Sequence, residues 1–139
     1  MARRALETAA AMVCAALAIG AVAYVGKQGS DTTRRRVDTA AALTGGGDPA
    51  RGAAHVARLG CGACHEIPGI LGAHGRVGPS LEAVGARVFL AGVVPNTPAN
   101  LMHWIRAPRE LSPHTAMPNL GLDDAAARDI AAFLYAGSG

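Results

Sequence analysis

Cys61-Gly62-Ala63-Cys64-His65 is the stretch on which the reading of the whole chain turns. Two thiols three positions apart can add to the two vinyl groups of one haem, and a histidine directly after the second thiol stands where it can ligate the iron. Rival chemistries need partners that this sequence does not offer. A thioredoxin-type dithiol requires a strand-to-helix turn in a βαβ unit, and no alternating strand of useful length flanks these cysteines. The third cysteine, Cys14, stands far away inside an apolar run, so neither a four-cysteine zinc cage nor an iron–sulfur cage can be assembled. Cys14 itself reads as a buried, inert thiol.

The composition points the same way. Half of the 139 residues are apolar, yet only 4% are aromatic: Tyr24, Phe89, Trp104, Phe133 and Tyr135. A core of small side chains buries little area per residue, so something else must fill the interior. A large flat macrocycle would do so, with alanine and glycine letting the backbone approach it. Net charge is +3, but the excess lies before residue 48. From Asp48 onward there are seven arginines, seven carboxylates and no lysine. No basic face remains for nucleic acid.

Three segments follow from the pattern. Residues 1–26 contain the uncharged run Thr8–Gly26, preceded by Arg3 and Arg4 and followed by Lys27. As a helix, residues 8–26 would be about 28 Å long, close to a hydrocarbon core of about 30 Å. We read it as a retained transmembrane anchor; the competing reading is a cleaved export signal with Ala21-Val22-Ala23 as its cleavage site. Residues 27–47, polar, basic and then glycine-rich, read as a flexible linker with a reach of about 25 Å. The run Arg34-Arg35-Arg36 in it is an exposed charge cluster, or alternatively a contact for anionic lipid head groups. Residues 48–139 form the folded domain.

Within that domain the helix signals are short and the loops long. Asp48-Pro49 opens a helix that ends near Gly60, Thr97-Pro98 opens a second that Pro108 stops, and Asp123 opens a third that closes at Gly137. Residues 66–80 and 107–121 read as loops. The expected fold is all-α, three to four short helices with long loops packed on a common object.

The motif leaves a second axial ligand to be found among Met102, Met117, His55, His74, His103 and His114. Met102 and His103 sit in a helix, where methionine is usually core. Met117 lies in Thr115-Ala116-Met117-Pro118, a loop stiffened by proline, and is the favoured ligand. A thioether raises the potential relative to bis-histidine ligation. The four other histidines read as solvated or locally satisfied, and Asp123 and Asp124 as favourable charges at a helix N-terminus.

The stretches GDPARGAAHVARLGCGACH (47–65), GPSL (78–81), NTPANLMHWIRAP (96–108), TAMPNLGL (115–122) and DDAAARDIAAFLYAG (123–137) together resemble the class I c-type cytochromes with one haem. The NTPANL–W–P stretch is most similar to membrane-anchored bacterial domains associated with haem-copper oxidases. The resemblance implies a cytochrome c fold around one covalent haem c attached through Cys61 and Cys64, with His65 and Met117 on the iron. It implies that the Pro79 carbonyl accepts from the His65 ring, and that Gly52 and Val56 cross against Phe133, Leu134 and Tyr135. It suggests that Trp104 donates to a haem propionate, with a plain core aromatic as the alternative, and Arg87 and Arg106 are weaker propionate candidates beside ordinary surface roles.

The expected function is single-electron transfer in a respiratory chain, on the periplasmic face of the inner membrane, from a quinol:cytochrome c reductase to a terminal haem-copper oxidase. Six-coordinate iron leaves no open site for substrate, so no enzyme is expected. Two alternatives stay open: a haem subunit permanently bound in an oxidase complex, and a gas- or peroxide-binding protein if Met117 is labile.

Overall fold

Helices begin and end where the sequence places its capping residues and glycines. The computed structural model describes residues 2–137; Met1, Ser138 and Gly139, ends of the expected segments, lie outside the described residues. The chain divides into two compact units, one up to Arg35 and one from Arg36 onward.

The first helix, α1 (Ala2–Leu43), is the one described helix long and apolar enough to cross a membrane. Its large apolar side chains, including Leu17, Ile19, Val22 and Val25, are exposed, and so is Cys14, which sequence reading had placed among buried thiols. Residues 27–43, expected as part of a flexible linker, are instead helical, so coil-like reach does not describe them. The physical reason is local: Arg34–Arg36 and Ala40–Leu43 are good helix formers. Ser30, Thr32 and Thr33 are weaker ones, and their hydroxyls are satisfied within the helix on the carbonyls of Gly26, Gln28 and Gly29 at 3.0, 2.9 and 3.0 Å. The helix stops only at Gly45 and Gly46, both at positive φ, with Gly46 N–H closing on Ala41 O at 2.8 Å.

In the second unit, α2 (Pro49–Arg58) starts on Asp48, whose carboxylate accepts from the N–H groups of Ala50 and Arg51. After a left-handed Gly60, a single 3₁₀ turn (Cys61–Ala63) leads into the 66–80 loop. A second 3₁₀ turn (Val84–Ala86) precedes a minimal antiparallel hairpin, β1 (Phe89–Leu90) with β2 (Val94–Pro95). Helix α3 (Pro98–Arg106) starts on Thr97, whose side chain accepts from Asn100 N–H. Pro108 does not merely end α3: it occupies the first position of a four-residue helix, α4 (Pro108–Leu111), where its fixed φ and missing N–H cost nothing. Helix α5 (Asp124–Ala136) starts on Asp123, which accepts from Ala126 N–H at 2.7 Å. The fold is all-α, as the sequence predicts.

Helices α2 and α5 make the closest crossing. A Cβ on Gly52 would collide with the Asp129 backbone and with Phe133, so only glycine lets these helices approach so far. Val56, 1% exposed, seals the contact with Ile130, Ala131 and Leu134. A buried valine or leucine of this kind stabilises by roughly 1.5–3 kcal/mol. The crossing is locked by a polar clamp that sequence reading missed. Asp129, 5% exposed in the middle of α5, accepts from Asp48 N–H at 2.8 Å and from Arg51 Nε and Nη2 at 2.7 and 3.0 Å. Asp129 thus holds the N-terminal turn of α2 against α5.

Candidate functional site

The core of the second unit is the wall of a cavity of about 380 Å³, within the range of roughly 300–1,000 Å³ usual for small-molecule sites. Val56, Val84, Leu90, Leu101, Ile105, Ile130 and Leu134 belong to the buried core and line this space as well. Side chains from α2, α3 and α5 and from three loops therefore pack on one another and also face one chamber. This is the interior that a sequence short of aromatic residues leaves unfilled.

Cys61, Cys64, His65, Pro79, Trp104 and Met117, all singled out from sequence, line the same cavity. The two thiols are presented by the 3₁₀ turn, which is closed by Cys64 N–H and His65 N–H onto Cys61 O at 3.2 and 3.0 Å. Cys61 is half-buried, Cys64 is exposed, and burial pushes the Cys61 thiol pKa up. The turn is braced from outside: a Cβ on Gly75 would strike the backbone of Ala63 and Cys64, and Gly75 N–H donates to Gly62 O at 3.0 Å.

The His65 ring is held from two sides. Its Nδ1 lies 2.7 Å from Pro79 O, and because a carbonyl can only accept, Nδ1 carries the hydrogen. The other nitrogen, Nε2, keeps its lone pair for a metal. Gly78 lies against the ring, where a Cβ would overlap Cε1, Nδ1 and Nε2. This is the ligand–carbonyl contact that the family resemblance implies.

Met117 reaches the cavity from the 112–123 loop, its backbone N–H tied to Thr115 Oγ1 at 3.3 Å. The other candidate ligands fall elsewhere. Met102 packs on the core without lining the cavity. His114 is exposed, His103 pairs with Glu110 at 2.7 Å, His55 lies 2.8 Å from Arg58 and 4.0 Å from Asp129, and His74 sits in a bridge with Glu66. Arg106 is paired with Asp124 and does not line the cavity, whereas Arg87 does, with Nη2 donating to Ser80 O and to Glu82 O, the latter at 3.3 Å.

A cavity walled by aliphatic side chains and bearing two thiols, an imidazole with one free nitrogen and a thioether fits an iron porphyrin in lining and in donor chemistry. The soft sulfur and borderline nitrogen donors suit iron, and the apolar walls suit a macrocycle. Residues 49–137 match the family model described as cytochrome c. No curated protein and no solved structure matches the chain.

Proposed function

Because the chain belongs to the cytochrome c family of haem-binding electron carriers, we propose that it carries single electrons on one haem c held covalently by Cys61 and Cys64. His65 Nε2 and the Met117 sulfur would hold its iron. The observation that carries this reading is the convergence of the dithiol, the imidazole and Met117 on one apolar cavity. When bound, haem supplies the one-electron iron couple. The chain's residues do the rest. Pro79 fixes the His65 tautomer, the core side chains exclude water, and the Met117 loop offers a sulfur that favours reduced iron. With His65 and Met117 both given to the iron, the bound haem would serve electron transfer and not substrate chemistry.

In this reading the apolar part of α1 is a membrane anchor, and residues 48–139 work on the periplasmic face of the inner membrane, where a quinol-oxidising complex supplies electrons and a haem-copper oxidase takes them. Support comes from the length and exposure of α1 and from the even charge of the folded part, which suits a tethered carrier better than one steered over long distances. The intact mass of the protein purified from membranes tests both halves. One haem added, both thiols of Cys61 and Cys64 consumed and residues 1–26 present are expected. Colourless material with two titratable thiols would overturn the haem assignment, and a mass lacking the N-terminal segment would overturn the anchor.

A further inference from the structure

The cavity wall between Val84 and Leu90 has one 3₁₀ turn and the start of a two-residue strand to support it, yet it brings Val84, Arg87 and Leu90 to the chamber. Besides the turn's own backbone bonds and the Arg87 guanidinium on Ser80 O and Glu82 O, it is held by Asn96, which does not itself line the cavity. Asn96 Nδ2 donates to the carbonyls of Val84 and Arg87 at 2.7 and 2.9 Å, and its backbone N–H donates to Val88 O at 2.9 Å. Since carbonyls can only accept, the amide nitrogen must face the wall and Oδ1 must face away. Oδ1 is then free to accept, and the Tyr135 hydroxyl, 3.1 Å away on α5, is its donor. Burial pushes the Tyr135 pKa up, which keeps that proton in place. A hydrogen-bonded chain therefore runs from α5 through the Asn96 side-chain amide to two carbonyls of the wall, and the Asn96 backbone N–H holds a third. At the end of it stands Arg87, the one arginine or lysine among the described residues lining the cavity.

We propose that Asn96 and Tyr135 are positioning residues that tune the redox centre through Arg87, by fixing the 84–88 backbone so that the guanidinium stands at the cavity wall. The proposal rests on the haem reading above. A positive charge beside the cavity favours the iron state with the extra electron, and the effect grows as the charge is kept from water. If the clamp is cut, the 84–88 backbone loosens, the guanidinium is left with only its bonds to the Ser80 and Glu82 carbonyls to fix its place at the wall, and that preference weakens.

The test is a coupling measurement on the haem-loaded protein. Midpoint potentials are titrated for Asn96→Ala, Tyr135→Phe and Arg87→Gln, and for each clamp substitution combined with Arg87→Gln. Each single change should lower the potential. In the Arg87→Gln background, neither clamp substitution should lower it further, and amide hydrogen exchange at residues 84–88 should be faster in both clamp variants. Tyr135→Phe removes one hydroxyl and carries the test if Asn96→Ala does not fold. Potentials unchanged in the clamp variants, or an equal drop with and without Arg87, would overturn the proposal while leaving the haem reading intact. Protein that takes up no haem before any substitution would strike the haem reading instead.

Discussion

Met117 and Met102 are the same side chain in two settings, and the difference is one of company. Met102 is carried by a helix that is held at both ends and packs, partly buried, against the core. Met117 is carried by a loop with little backbone hydrogen bonding and lines the cavity. Replacing Met117 by leucine should remove the near-red absorption of sulfur-to-iron(III) charge transfer and lower the midpoint potential. Met102→Leu should leave both unchanged and cost under about 1.5 kcal/mol of stability as a volume-conserving swap. Spectra and redox titration of the two variants decide the assignment; loss of the band in Met102→Leu would reverse it. At this scale much was legible: the spacing of Cys61, Cys64 and His65 announces its own chemistry, and a proline beside a loop methionine is an unusual pairing. Asn96, Tyr135 and Asp129 were not legible. Each acts on backbone or charge far away in sequence, and nothing local to a polar residue in an amphipathic stretch marks such a partner.

Between elements, the α2–α5 crossing depends on Gly52 for closeness and on Asp129 for registration. The Arg51 guanidinium, with further help from the Asp48 N–H, holds the Asp129 carboxyl below the ordinary carboxylate pKa despite the opposing cost of burial. A carboxyl depressed in the folded state contributes stability that is fully present above its unfolded pKa and is lost as pH falls through the folded one. Acid unfolding of the wild type should therefore include a loss of stability below the usual aspartate range that Asp129→Asn lacks. At neutral pH the same substitution should destabilise by about 1–3 kcal/mol, since it leaves Asp48 N–H and Arg51 without their charged acceptor. Denaturant midpoints between acid and neutral pH measure both effects; identical pH profiles would show that the clamp contributes nothing. Helices α2, α3 and α5 could be read from sequence because capping residue, proline and apolar period agree in each. Residues 27–43 could not. Their polar composition resembles a linker, yet the arginine and alanine runs favour a helix, and the hydroxyls find their partners inside it.

At the scale of the molecule, the interior of the second unit is arranged round a space as well as round itself, so occupancy of that space and folding should be coupled. Protein with Cys61 and Cys64 both replaced by serine should show little stable helical signal by far-ultraviolet circular dichroism in its domain fragment; a spectrum equal to that of the haem-loaded form would contradict this. Outwardly, Arg51 and Arg106 are engaged with carboxylates of their own domain, and the remaining charges balance. Electron-transfer rates with a membrane partner should accordingly fall only modestly with ionic strength in stopped-flow measurements, whereas a steep fall would reveal a directed arginine patch. Finally, Ala40, Thr44 and Gly47 are buried, with Gly47 set close against Arg128 O and Ala132, while Lys27 and Arg34–Arg36 just upstream are exposed. The molecule thus has a natural release point. Brief trypsin treatment should shed a red, water-soluble fragment whose first residue is Val37 or lies slightly before it, because residues 37–50 offer no lysine or arginine and the next one, Arg51, is tied to Asp129.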